Sequence, residues 1–254
     1  MKHTFLILFA AALLVAGCNK SNNNKSNNNN NPNKNNSGNV TPGKEEKTDD
    51  GTITVTDIDG NTYKTVKIGE QVWMAENLKV TKDRDGKEIA LSRKGSYDTP
   101  YRYYPRHPMN VEKYGYQYNW EATKRVCPKG WHLPTDSEWT QLTDYVSSQS
   151  QYVCGDDKDN IAKALASKDG WKSCDESCMV GNAPSGNNAT GFGALPAGAS
   201  QEIYGSFGCN AIFWSATEYN SSSACVRYLD YDNAGVDRGH AEYNTGLSVR
   251  CVRD

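Results

Sequence analysis

The stretch CPKGWHLPTDSEW, residues 127–139, reads as a turn that opens onto a helix. Thr135-Asp136-Ser137-Glu138 is a capping box: a threonine side chain accepts from the backbone three residues on, and the glutamate returns the bond. Beyond it, Trp139, Leu142 and Val146 recur at helical spacing, so one apolar stripe faces a core while Asp136, Gln141 and Asp144 are expected to face water. Upstream, residues 120–126 read as a short helix that ends before Pro128. The Trp-His-Leu-Pro turn thus lies between two helices. On this reading Trp139 is a packing residue and His132 a structural imidazole rather than a general base. Asp136 and Glu138 are explained by the favourable position of negative charge at a helix N-terminus.

Working outward, residues 52–56 and 62–68 alternate in polarity around Asp59-Gly60, a dipeptide that favours a tight hairpin, and residues 71–78 read as a third strand. Asp57, Asp59 and Asn61 lack the loop glycine and closing glutamate of a calcium loop, and the hairpin accounts for them. A short helix is expected around Ile161 and Leu165, stopped at Asp169-Gly170, inside an elaborated loop region spanning 147–190. Strands are expected again at 213–217, 224–229 and 247–252. Strands, two main helices, a loop-rich half and closing antiparallel strands define an α+β class. Residues 52–254 are enough for one domain with a sizeable core.

Tyrosine, at 15 residues against 5 phenylalanines, tilts the aromatic content toward rings with a polar tip. Many lie within residues 97–118, among Pro100, Pro105 and Pro108, which argue against a continuous helix or a central strand there. These rings are expected to cover the core, with stacking on sugar faces as the alternative. A second polar cluster lies in residues 228–243, read as a solvated hairpin and turn set or, more sharply, as a ligand rim. The candidate rim residues are Tyr103, Tyr104, Tyr231, Asp232, Asn233, Asp237 and Arg238.

The N-terminal residues read as an export signal. Lys2 and His3 precede an apolar run over residues 5–15, too short to span a bilayer, which closes on Leu14-Val15-Ala16-Gly17-Cys18. Residues 1–17 are therefore expected to be a lipoprotein signal peptide and Cys18 the lipid attachment site. Residues 18–51 are expected to form the lipidated cysteine and an Asn-rich tether with almost no apolar residue to bury, leaving 52–254 as the folded domain. The membrane is the partner implied through the lipid, in the cell envelope at the outer membrane, on a face that the sequence does not distinguish. A formal net charge of −2 offers no electrostatic footprint for nucleic acid.

An exported chain with eight cysteines poses a disulfide question. Cys127 with Cys251 is the expected bridge, because these residues occupy the two end motifs and would close most of the domain into one loop. Cys154 with Cys174 or Cys178, and Cys209 with Cys225, are further pairings. The loose spacing of Cys154, Cys174, Cys178 and Cys209 makes zinc a poor competitor to oxidation. No metal or cofactor is expected.

KIGEQVWMAENL at 67–78, the opening stretch, GFGALPAG at 191–198, FWSATEY at 213–219 and GLSVRCVRD at 246–254 together resemble the Fibrobacter succinogenes major paralogous domain. That resemblance implies a C-type-lectin-like fold shared with formylglycine-generating enzymes. Such enzymes use a cysteine pair to bind copper near the end of the fold, and here only Cys251 stands in the closing strand. The Glu-Pro-Asn, Gln-Pro-Asp and Trp-Asn-Asp triplets of calcium-dependent lectins do not occur. The expectation is therefore a lipid-anchored envelope or cell-surface binding module without chemistry of its own, its ligand a polysaccharide or a protein. The alternatives are a formylglycine-generating-type enzyme acting on envelope proteins and a structural surface protein.

Overall fold

A computed structural model describes residues 43–49, 51–92, 94–201 and 205–254. The expected signal peptide, Cys18 and most of the expected tether lie outside the described residues. The chain enters through strands β1 (Glu45–Lys47), β2 (Ile53–Thr56), β3 (Thr62–Ile68) and β4 (Gln71–Met74), then short β5 (Ala90–Leu91) and β6 (Tyr101–Tyr103). Helix α1 (Val111–Tyr114), strand β7 (Gln117–Tyr118) and helix α2 (Trp120–Thr123) lead to β8 (Trp131–His132) and the long helix α3 (Asp136–Ser148). After α4 (Ala162–Leu165) comes a stretch without strands, followed by β9 (Asn210–Asn220), β10 (Ser223–Asp230), β11 (Asp237–Glu242) and β12 (Val252–Arg253). The architecture is α+β, with all strand pairs antiparallel except β5 with β6. Among the described residues no helix is long and apolar enough to cross a membrane.

The first hairpin forms as the sequence predicts, and its cause is Asp57. That buried carboxylate accepts from the backbone N–H groups of Asp59 and Asn61, from the Asn61 amide and, at 2.6 Å, from the Tyr63 hydroxyl. Gly60 sits at φ 85°, a left-handed position that a side chain would strain. The largest sheet runs β1-β2-β3-β4-β12-β8, so the last strand is inserted between β4 and β8. Pairing of Glu45–Lys47 with β2 carries the sheet back into residues expected to belong to the tether.

Alternation along the strands serves two cores at once. Val72 and Met74 of β4 join Ile212 and Trp214 of β9 in one core with Tyr118, Trp120 and Trp131. Trp73, between them, turns to the opposite face and packs with Phe213, Phe192, Leu142 and Val146 in the other. Helix α3 inserts Trp139 there, its ring 4.7 Å from Trp73 and 5.6 Å from Phe213, and its indole N–H donates to the Trp214 carbonyl. The capping box is formed as expected, with Thr135 and Glu138 exchanging bonds.

Arg250 links the two cores. Fully buried, it donates from Nε to Asn77 Oδ1 at 2.7 Å, from Nη1 to the Met74 and Phe192 carbonyls, and from Nη2 to the Gly193 carbonyl at 2.7 Å. Its guanidinium also lies over the Phe192 and Phe213 rings at 4.7 and 5.5 Å. β4 ends at Met74 instead of continuing to Leu78 as its sequence suggests: Met74 O accepts from Arg250, and Lys64 N–H of β3 donates to the Glu76 carboxylate. Likewise only Val252–Arg253 of the expected 247–252 strand is regular.

Cys127 is bonded to Cys251, the expected closure over a separation of 124 residues, worth about 4–5 kcal/mol in the chain-entropy picture. Of the alternatives for Cys154, the structure selects Cys178. The Cys209–Cys225 bridge is not formed, and the strand register gives the reason. Asn210 pairs with Asp230 while Ala224 pairs with Glu218, so Cys209 lies level with Tyr231 just past one end of β10 and Cys225 lies near the other, roughly 20 Å away at strand rise. A second correction concerns the prolines: β6 is the middle strand of the sheet β5-β6-β7, because Pro100 and Pro105 flank it rather than interrupt it.

Replacing Arg250 with Lys should cost at least about 3 kcal/mol in urea unfolding, because one ammonium cannot satisfy the carbonyls and amide that the guanidinium fork reaches. Trp139→Ala should lose about 3–5 kcal/mol by the same measurement, through the cavity left among Trp73, Phe192 and Phe213.

Candidate ligand-binding clefts

The predicted rim residues do not form one rim. Tyr103 is buried, its hydroxyl directed at the Asn244 carbonyl, while half-buried Tyr104 packs against the Tyr116 ring. Tyr231 lies at the other end of the β10–β11 hairpin, since Tyr228 pairs with Asp237 at one end and Ser223 with Glu242 at the other. There Lys172 donates to the Tyr231 hydroxyl at 3.0 Å and sits over its ring. Asn233 donates to Asp237 at 2.6 Å and accepts from Gly235 N–H, which ties the turn, whereas Asp232 is exposed. Neighbouring Asp230 is pushed up to about 6, chiefly by burial and secondarily by Asp237 and Asp232, against a lowering bond from Asn210. What was expected to be turn and rim is in large part strand, because β11 occupies Asp237–Glu242.

Arg238 is engaged elsewhere. Its guanidinium donates from Nε to both Asp136 oxygens, at 3.0 and 2.9 Å, and buried Arg227 donates to Oδ1 of the same carboxylate and to Thr140 Oγ1. Asp136 therefore does not face water, contrary to its place on the polar side of α3. Burial alone would raise its pKa, but the two guanidinium groups hold it below the usual carboxylate range. Cys225 lies buried beside this group, its thiol pushed up by burial. Tyr219 and His240 stack at 4.0 Å on the outer strands either side of β10.

His132 is held at both ring nitrogens. Nδ1 lies 2.7 Å from Asp254 Oδ1, and Nε2 lies 2.8 Å from Glu138 Oε1. The second Glu138 oxygen accepts from Thr135 N–H and Oγ1, so one carboxylate caps α3 and orients the imidazole. Burial opposes charge on the ring, but the Asp254 and Glu138 bonds outweigh it and raise the pKa. The structural assignment of this histidine thus has a geometric basis: each ring nitrogen faces a carboxylate acceptor, so both N–H groups of the protonated ring are committed.

Two clefts flank α2, and none of the seven predicted rim residues lines either of them. One, of about 440 Å³, is bounded by Arg84, Trp120, Thr123, Lys124, His132, Leu133, Thr135 and Ala216. The other, of about 250 Å³, presents Asp83, Asp85, Glu88 and Glu121 with Lys87 and Arg125. Helix α2 separates them because Asn119 fixes its start: the side-chain oxygen accepts from Ala122 N–H and Tyr101 N–H, while the amide donates to the Ser96 and Thr99 carbonyls. The turn carrying Arg84 is built on Asp83, whose carboxylate accepts from Asp85 and Lys87 N–H, and Arg84 N–H donates to the Arg125 carbonyl. Sequence reasoning missed Arg84 and Lys124, which carry no local signature and meet only in the fold. Among the described residues no group of three or more His, Cys, Asp or Glu side chains is placed to hold a metal ion.

An α+β domain with β12 inserted in its main sheet and one cleft built against the Trp-His-Leu-Pro turn defines a scaffold class rather than a reaction. The chain belongs to the Fibrobacter succinogenes major domain family, whose model matches residues 66–253. The match starts within β3 and ends in β12, so it takes in the second core and all but Val55 and Tyr63 of the buried residues of the first. Neither a curated protein nor a solved structure matches the chain.

The His132 lock predicts a definite pH dependence. Because folding raises this pKa, its contribution is complete below about pH 6.5, the unperturbed value, and is lost as pH rises through the folded value. Glu138 is lowered, so its share is complete above its unfolded pKa and is lost as pH falls through the folded one. The stability difference between the native chain and His132→Gln should be largest between about pH 5 and 6.5 and should shrink toward pH 9, measured by urea unfolding.

Proposed function

We propose that this chain is a lipid-anchored binding module of the bacterial envelope, attached through Cys18, spaced by the Asn-rich segment and displaying a C-type-lectin-like domain at the outer membrane. The module has no chemistry of its own, and its ligand is a polysaccharide or a protein. The observation that carries this reading over a formylglycine-generating-type enzyme is the Cys127–Cys251 bond. Such an enzyme needs reduced cysteine near the end of the fold, and Cys251 spends its sulfur on Cys127. His132, the other conspicuous reactive group of the motif, is likewise committed at both nitrogens.

The purified chain should alkylate at Cys251 only after reduction, should bind no copper, and should show saturable binding on an array of wall glycans or to an envelope protein. Copper bound through a reduced Cys251 would establish the enzyme instead. Lack of any saturable ligand would leave a structural surface protein.

A further inference from the structure

We propose that the cleft beside α2 binds a carboxylated sugar unit of an acidic polysaccharide, with Arg84 and Lys124 receiving the carboxylate and Leu133, Ala216 and the edge of Trp120 lining the sugar ring. This inference rests on the binding-module reading above and names its ligand class.

Volume and lining carry the argument. About 440 Å³ falls within the range of small-ligand sites. The residues bounding it include Arg84, Lys124 and His132 but no carboxylate, whereas the cleft on the opposite side of α2 is rich in acid. Of the neighbouring acids, Glu138 and Asp254 hold His132, and Glu121, a residue of the other cleft, shares Lys124 with this one through a pair at 2.6 Å. Arg84 differs from these cations. It is exposed, and among the described residues it has no carboxylate within ion-pair distance; its guanidinium contact is the Lys124 carbonyl at 3.4 Å. That contact leaves most of its planar donor fork for a carboxylate, the partner it fits with two parallel bonds.

Lys124 is positioned for the same task. Its ammonium stands 4.4 Å from the Trp120 ring, and Trp120 is in turn stacked on Tyr243 at 4.3 Å. The cation therefore rests on a rigid aromatic support, at little cost in side-chain freedom on binding. Its exposed pair with Glu121 is of the kind that contributes about 0–1 kcal/mol and is readily exchanged. Exposed Ala216, backed by the largely buried Leu133, offers apolar surface to the C–H face of a sugar ring, which distinguishes this cleft from a simple anion site.

Calorimetric titration of the full chain with an oligogalacturonide tests the proposal, with its methyl ester and inorganic phosphate as comparison probes. The acidic oligomer should bind with an affinity that falls as salt rises, and the ester should bind at least tenfold more weakly. Arg84→Ala, at an exposed turn position, should lose at least tenfold; Lys124→Gln, checked for an unchanged melting temperature, provides a second variant. Equal binding of acid and ester, unchanged binding by Arg84→Ala, or saturation by phosphate without binding of the oligomer would each overturn the proposal. If the chain instead binds a neutral glycan or a protein, the carboxylated-sugar site is refuted while the binding-module reading survives. If it binds no ligand of any kind, both fail.

Discussion

A guanidinium buried without a carboxylate in contact organises this domain. Arg250 is fully enclosed, and burial draws its pKa down to about 9, an effect only partly opposed by Glu76. Enclosing such a charge is costly unless every donor finds an acceptor. Here the acceptors come from parts of the chain far apart in sequence: Met74 and Asn77 at the exit of β4, and Phe192 and Gly193 in the GFGALPAG loop. The loop is thereby fixed by its backbone, and Phe192 is fixed in the core by its ring. Next to Arg250, Cys251 is bonded to Cys127 and faces the other core. Two successive residues thus join the strands, the long loop and the entry to the Trp-His-Leu-Pro turn.

The clefts follow from that framework. β8 is held beside β12, and Trp131 and His132 pair with Arg253 and Val252. His132 then meets the C-terminal Asp254 and the capping glutamate of α3, so one wall of the larger cleft is rigid. The opposite wall is α2 with its aromatic stack. Arg84 comes from a turn anchored to the end of α2 by backbone bonding to Arg125. Preorganisation of this kind favours recognition because little freedom remains to be lost on binding.

Local patterns made much of the fold legible. The capping box, the Asp-Gly hairpin and the Trp139-Leu142-Val146 stripe each depend on residues within a few positions of one another, and each forms as its sequence suggests. The failures share a different character. β1 is Glu-Glu-Lys, with no apolar alternation to announce a strand, and it is held by edge pairing with β2 and by an ion pair from Arg253 to Glu45 at 3.3 Å. Asp136 looks like a surface acid because its partners, Arg227 and Arg238, lie 91 and 102 residues away. The Cys209–Cys225 pairing was plausible by proximity in sequence, but a strand register decided against it. The candidate rim rested on composition, which cannot tell that Tyr103 is interior or that Tyr231 lies at the far end of a hairpin. Cleft residues drawn from around positions 84, 120, 132 and 216 had no common signal to be read.

The placement of β12 inside the sheet, rather than at an edge, bears on the order in which the chain can assemble. β4 and β8 cannot be joined until β12 lies between them, and Arg250 cannot bring the 191–198 loop to β4 before then. Contacts spanning more than a hundred residues make loop closure an early entropic cost that is repaid late. Until the segment that carries β12 is in place, β4 and β8 each lack their partner on that side. Register thus orders assembly: the β2–β3 and β10–β11 hairpins need only near neighbours, whereas the six-stranded sheet is completed by β12.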